Sequence, residues 1–103
     1  MPKAKPPSPP QLPHPLTAGE TSLIKEAVER FFGNDAVVRN FGPDPNRLEI
    51  HVETSRDDLF ARDECVGVLM CGIVRDQISM TVTKRGTRVW GSARVAYRQG
   101  VII

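Results

Sequence analysis

Residues 48–74 read LEIHVETSRDDLFARDECVGVLMCGIV, a stretch that changes from a strand pattern to a helix pattern. In its first part every second residue from Leu48 to Val52 is apolar, which is typical of a strand with one buried face. Thr54 or Ser55 can then cap a helix, because two aspartates follow that suit its first turn. We expect this helix to continue almost to the end of the stretch.

The preceding residues predict a first helix and the other strand of a hairpin. Thr17 and Glu20 have the spacing of a capping box, in which each side chain accepts a hydrogen bond from the backbone of the other. Apolar residues recur at helical spacing over residues 23–32, and Gly33 is suited to end that helix. Residues 36–41 then predict a strand, and a Gly-Pro-Asp-Pro-Asn turn joins it to the next strand as an antiparallel hairpin.

The C-terminal residues predict a second hairpin. Apolar residues alternate with serine and threonine over residues 78–83, and again with polar residues over residues 89–97. The Lys-Arg-Gly-Thr sequence between them has the composition of a turn. The predicted order is therefore α-β-β-α-β-β. This order favours an α+β two-layer sandwich, with a four-stranded, mainly antiparallel sheet and two helices on one face.

The domain boundary is predicted from the prolines. The chain has 103 residues and nine prolines, and seven of these prolines lie in the first sixteen residues. We therefore expect a disordered, proline-rich tail over residues 1–16 and a single domain over residues 17–103.

The second helix has apolar residues on all sides from Cys65 onward. One stripe is suited to face the sheet and consists of Leu59, Val66, Met70 and Ile73. The opposite side is also small or apolar, whereas a surface helix of an isolated two-layer domain would be polar there. We therefore predict a homodimer that buries this opposite side. The predicted dimer interface consists of Ala61, Cys65, Val68, Cys71 and Gly72. The alternative is that the helix ends early and residues 68–74 begin a strand.

Charge is distributed unevenly along the chain. The formal net charge is +2, yet residues 17–76 carry seven basic and twelve acidic side chains, whereas residues 77–103 carry five basic and no acidic ones. If the last strand is regular, Arg88, Trp90, Arg94 and Arg98 would share one face. Such a face suits phosphate contact and base stacking with a single-stranded nucleic acid. The candidate nucleic-acid-binding residues are Lys84, Arg85, Arg88, Trp90, Arg94 and Arg98.

Two other interpretations compete with nucleic-acid binding. Glu49 and Glu53 can lie across the sheet from Arg94 and Arg98 as ordinary cross-strand ion pairs. A bulge at Gly91 would reverse the alternation and bury the tryptophan.

No known pattern of catalytic or metal-binding residues is present. His51 is the only histidine after residue 16, and its position between two glutamates predicts a solvated side chain. Cys-x-x-Cys, His-x-x-x-His and calcium-loop spacings are absent. We therefore expect neither catalysis nor a metal or cofactor.

The two cysteines predict the compartment. Cys65 and Cys71 are too far apart around one helix to form a disulfide, and the sequence has no apolar run long enough to span a membrane. We expect free thiols and a cytoplasmic location. The leading hypothesis is a small, non-catalytic binding or adaptor domain, homodimeric, that engages a protein partner, for example by strand addition at a sheet edge. Single-stranded nucleic-acid binding is the alternative hypothesis.

Overall fold

The computed structural model describes residues 12–56, 59–87 and 91–103. These residues form three helices and four strands. In chain order they are α1 (Ala18–Phe32), β1 (Val37–Asn40), β2 (Arg47–Thr54), α2 (Leu59–Gly72), β3 (Gln77–Lys84), α3 (Ser92–Gln99) and β4 (Val101–Ile102). The α+β class is confirmed, but the described residues form three helices where two were predicted.

The first helix begins and ends where the sequence predicts. The Glu20 N–H donates to the Thr17 hydroxyl at 3.1 Å, and the Thr17 N–H donates to the Glu20 carboxylate at 3.0 Å, which completes the capping box. At the other end, Gly33 has φ +92° and donates its N–H to the Glu29 carbonyl. A positive φ is accessible to glycine at low cost, and this explains why the helix ends there.

The predicted first hairpin is confirmed. β1 pairs antiparallel with β2, with Val38 opposite Val52. Residues of β2 with even numbers face α1 and α2 and form the apolar core with them. The side chains that are completely buried in this core include Ile24, Phe32, Ile50, Val52, Cys65 and Leu69. Both predicted helices therefore cover the same face of the sheet.

The predicted second hairpin is wrong. β3 pairs with β2 in parallel, and residues 92–99 form α3 rather than a strand. Apolar residues in this segment also recur at helical spacing, at Ala93, Ala96 and Tyr97, and alanine, arginine and glutamine favour helices. Gly91, directly before α3, has φ +56°, a conformation that glycine adopts at low cost. The sheet is therefore mixed, with the strand order β3-β2-β1-β4.

The third helix lies on the opposite face of the sheet from α1 and α2. The Tyr97 ring is 5.3 Å from the His51 ring, and the Arg39 guanidinium lies 4.2 Å from the Tyr97 ring centre. Because strand side chains alternate, His51 points away from the face that Ile50 and Val52 present to α1 and α2. α3 thus crosses the face that was predicted to be free, and it connects β3 to β4 beside β1.

The last residues of the predicted tail contact the domain. The His14 N–H donates to the Gly42 carbonyl at 2.8 Å, and the Asn40 side chain donates to the His14 carbonyl at 2.8 Å. Leu16 packs against the core. Residues 14 and 16 therefore contact the sheet and the core before α1 begins.

Candidate functional site

The second helix is continuous, but its orientation differs from the prediction. It is helical over Leu59–Gly72, so the alternative in which residues 68–74 begin a strand is wrong. The buried residues of this segment recur at every fourth position. They are Ala61, Cys65 and Leu69 of the helix and Ile73 directly after it. Met70, predicted to be in the core, is 65% exposed. The helix is therefore rotated by about 100°, one residue, from the predicted orientation.

This rotation changes the predicted dimer interface. Ala61 and Cys65 lie in the core, and Val68 is half-buried against it. Gly72 lies close to α1, where a Cβ would collide with Leu23. Cys71 is exposed. The small size of Gly72 thus allows α2 to approach α1 closely, although Gly72 itself is exposed, and Ala61 and Cys65 are small residues of the core.

An apolar stripe remains on the outer side of α2. Phe60 is 81% exposed, Met70 65% and Val74, just beyond the helix, 100%. We call this set the α2 stripe, and it consists of Phe60, Gly67, Met70, Cys71 and Val74. Asp63, whose side chain is 76% exposed, lies between Phe60 and Gly67 on the same side of the helix, so a charge interrupts the stripe. The exposed apolar side chains of the α2 stripe nevertheless lie on one side of the fold, as the apolar part of an interaction surface does.

Strand β3 lies beside this stripe at one end of the sheet. All eight of its residues pair with β2, from Gln77 opposite Arg47 to Lys84 opposite Thr54. In the described parts of the chain, β2 is the one strand that pairs with it. Edge strands are commonly protected by proline or by charged side chains, and β3 contains no proline and a single charge, Lys84, at its last residue. The alternation over these residues predicted the strand, but not its position at the edge.

A groove separates α2 from the edge strand. Its volume is about 370 Å³. The helix lines it with Arg62, Asp63, Val66, Gly67 and Met70, and the strand lines it with Ile78, Ser79 and Met80. A chain that paired with β3 would therefore have a partly apolar recess next to it for its side chains.

A polar cluster lies beneath α3, on the other face of the sheet. His51, predicted to be solvated, is completely buried because α3 covers this face. Its Nδ1 is 2.6 Å from the Thr81 hydroxyl, and its Nε2 has no hydrogen-bond partner among the described residues. Burial lowers the pKa of His51, and the nearby positive charge of Arg39 lowers it further. The histidine is therefore neutral in the fold at physiological pH.

Other charged groups complete this polar cluster. The Arg39 guanidinium is 4.0 Å from the Glu53 carboxylate. Glu53 therefore faces a β1 arginine, and the predicted cross-strand pairs with Arg94 and Arg98 are wrong because those two arginines are in a helix. Cys65 is in the core on the opposite side of the sheet, so the structure does not bring a thiol to His51.

The candidate nucleic-acid-binding residues are not brought onto one strand. Lys84 ends β3 and is exposed. Arg85 is 3.5 Å from the Asp35 carboxylate and donates to the Asp35 carbonyl at 2.7 Å. Arg94 and Arg98 are exposed one turn apart on α3. Arg88 and Trp90 lie outside the described residues.

In the described ranges, no three histidine, cysteine or acidic side chains are grouped so that they could hold a metal ion. No helix in these ranges combines the length and apolar character needed to cross a membrane. Both cysteines are free, as predicted. Comparisons with protein-family models, curated proteins and solved structures find no match for this chain.

Proposed function

We propose that the chain is a small, non-catalytic binding module that adds an extended segment of another protein chain to its sheet along β3. The observation that carries this proposal is the eight-residue strand at the end of the sheet, with its outer edge open in the described part of the chain. Backbone N–H and C=O groups along such an edge bind an incoming strand with little dependence on its sequence.

The groove and the α2 stripe supply the selectivity that backbone pairing lacks. Side chains of an added strand alternate between the two faces of the sheet. Those on the helix side would meet Met70 and Val66 across the groove. We therefore expect the preferred partner segment to carry apolar residues at every second position.

The buried state of His51 supports a non-catalytic role. A general base needs to reach substrate, and this side chain is covered by α3 and engaged with Thr81 at 2.6 Å. Among the cysteines, Cys65 is buried, and burial raises the pKa of its thiol to about 11. A thiol with this pKa remains protonated at neutral pH and is a poor nucleophile.

A selection of random peptides on the sparsely immobilised protein tests the proposed function. We expect enriched peptides with alternating apolar residues, and hydrogen–deuterium exchange should show that they protect β3 amides. Amides of β1 act as the control, because β1 lies between two strands. Peptides that bind without protecting β3, or a selection that enriches none, would contradict the proposal.

Single-stranded nucleic acid is a second candidate ligand. The observation that favours it is the pair of exposed arginines, Arg94 and Arg98, on one side of α3, in a C-terminal segment without acidic residues. Fluorescence anisotropy with a labelled oligonucleotide at low salt tests it, with the Arg94→Glu/Arg98→Glu variant for comparison. Binding should weaken with salt and be lost in this variant. An Arg30→Glu variant on α1 is the control, and equal loss there would point to non-specific attraction.

A further inference from the structure

We infer that the occupant of the β3 edge is a second copy of this chain, paired antiparallel about a twofold axis at Met80 to form one continuous eight-stranded sheet. The inference rests on the proposed function of β3, and it adds the partner and the register. It differs from the predicted dimer, whose interface included Ala61 and Cys65, because those residues are buried in the core.

The geometry of the sheet restricts the register. In an antiparallel pair, side chains directly opposite each other lie on the same face of the sheet. A twofold axis perpendicular to the sheet keeps α2 of both copies on one face. Even-numbered residues of β3, including Met80, face that helix with the even-numbered residues of β2. Even-numbered residues must therefore oppose even-numbered residues. The twofold axis then lies midway between one residue and the same residue of the second copy, and we name each register by that residue.

The sequence around Met80 is self-complementary in this register. Ser79 would lie opposite Thr81 of the second copy, and Ile78 opposite Val82. Further out, Gln77 would lie opposite Thr83, and Asp76, the residue directly before β3, opposite Lys84. Each position thus meets its own chemical class or, at both ends, an opposite charge. Asp76 and Lys84 are both exposed, so their charges are accessible to a second chain.

Neighbouring registers lack this match. An axis through Ser79 would place Asp76 opposite Val82, and an axis through Thr81 would place Ile78 opposite Lys84. Both leave a charge against an apolar side chain at two symmetric positions. Matched cross-strand pairs stabilise a sheet and mismatched ones do not, so Met80 is the favoured centre.

The groove beside β3 also suits this arrangement. Met70 and Gly67 lie on the flank of α2 that faces the groove, and an ideal Cβ on Gly67 would meet nothing within 4 Å. In the dimer this flank would face the same flank of the second copy across the axis. The second copy would then cover part of the α2 stripe when the two β3 strands pair.

Charge-swap variants test both the partner and the register. Asp76→Lys alone would place two lysines opposite each other at each end of the strand pair. Lys84→Asp alone would place two aspartates opposite each other there. We expect each variant to raise the dimer Kd about tenfold. An equimolar mixture of the two would form a heterodimer in which both ends carry opposite charges, with a Kd close to that of the original chain.

Sedimentation velocity over a range of concentrations measures these constants, and circular dichroism checks that each variant is folded. Lys25→Asp and Glu26→Lys on the exposed side of α1 are matched controls and should leave the Kd unchanged. A species that remains at 11.4 kDa at every concentration would overturn the inference. So would a dimer that neither variant weakens, or a mixture that does not recover.

The proposed function can survive that failure. If selected peptides protect β3 while the chain stays monomeric, the edge binds a different protein. If a dimer forms and the mixture recovers, the second copy is the occupant. If selected peptides leave β3 unprotected and the chain is also monomeric, both the proposed function and the inference are wrong.

Discussion

The two faces of the sheet are held by different kinds of interaction. On one face, Ile50 and Val52 are buried with Leu69 of α2 in a continuous apolar core. On the other, α3 buries the small side chains of Ala93 and Ala96, and its Tyr97 makes polar and aromatic contacts with His51 and Arg39. Burial of apolar area is non-directional and adds over many atoms, whereas polar contacts depend on geometry and contribute about 1 kcal/mol each. We therefore expect α3 to be released more easily than α1 or α2.

The largest effect is expected on the apolar face. Leu69→Ala would leave a cavity in a completely buried site, at a cost of about 2–5 kcal/mol of unfolding free energy. Met70→Ala, one residue further along the same helix, should cost under about 0.5 kcal/mol because Met70 is exposed. Urea unfolding measures both. Equal costs, or the reverse order, would show that α2 has the orientation predicted from the sequence.

A smaller effect is expected beneath α3. Tyr97→Ala would remove the ring that contacts His51 and Arg39, at a cost of about 1–2 kcal/mol. Amides of α3 should then exchange faster in hydrogen–deuterium exchange, while those of α1 stay protected. Val95→Ala, at an exposed position of the same helix, is the control. Faster exchange of α1 and α3 together would show that the two faces unfold as one unit.

His51 makes the α3 side sensitive to pH. Its folded-state pKa is lowered, chiefly by burial, so the unfolded chain binds a proton first as the pH falls. Above the unfolded-state pKa of about 6.5, His51 is largely neutral in both states and its titration does not change the unfolding free energy. Below that pH, the unfolding free energy decreases by at most about 1.4 kcal/mol per pH unit until the folded-state pKa is reached. Thermal unfolding between about pH 7.5 and 5.5 should show this decrease, and His51→Gln should reduce it. An unchanged slope in that variant would contradict the assignment.

The two cysteines give the smallest expected effect on stability and the sharpest contrast within α2. Under dilute native conditions at about pH 8, iodoacetamide should alkylate Cys71 and spare Cys65. Cys65 is protected because it is buried and burial raises the pKa of its thiol to about 11. Mass spectrometry should find one adduct per native chain and two after unfolding. Alkylation should change the unfolding free energy by under about 0.5 kcal/mol. Two adducts on the folded chain would place Cys65 outside the core.

The difference between the faces also explains which predictions were correct. The capping box at Thr17 and the alternation from Leu48 to Val52 are local signals, and both are confirmed. Residues 92–99 satisfy the period of a strand and of a helix at once, so local pattern alone could not choose between them. The prediction that His51 is solvated was wrong for the same reason, because it assumed that no helix covers that face of the sheet.

The candidate site was predicted in part. An unusually apolar second helix indicated an interaction surface, and the α2 stripe lies on that helix. Its residues differ from those predicted because Ala61 and Cys65 face inward and Met70 faces outward. An element that is apolar all round does not specify its own orientation, which depends on how closely α1 approaches it. The position of β3 at the edge depended in turn on its parallel pairing with β2.

The sequence by itself determined the first two helices, the first hairpin, the extended β3 segment and the absence of a disulfide. Short-range periodicity decides these features, and the capping box at Thr17 sets the start of α1. Thr54, one of the two predicted caps of α2, is instead the last residue of β2, and its hydroxyl donates to the Phe32 carbonyl. Tertiary structure alone decided the parallel pairing of β3, the helical state of Ser92–Gln99 and the rotation of α2. These outcomes depend on contacts between residues far apart in the chain, where the gain from burial outweighs weak local preferences of similar size.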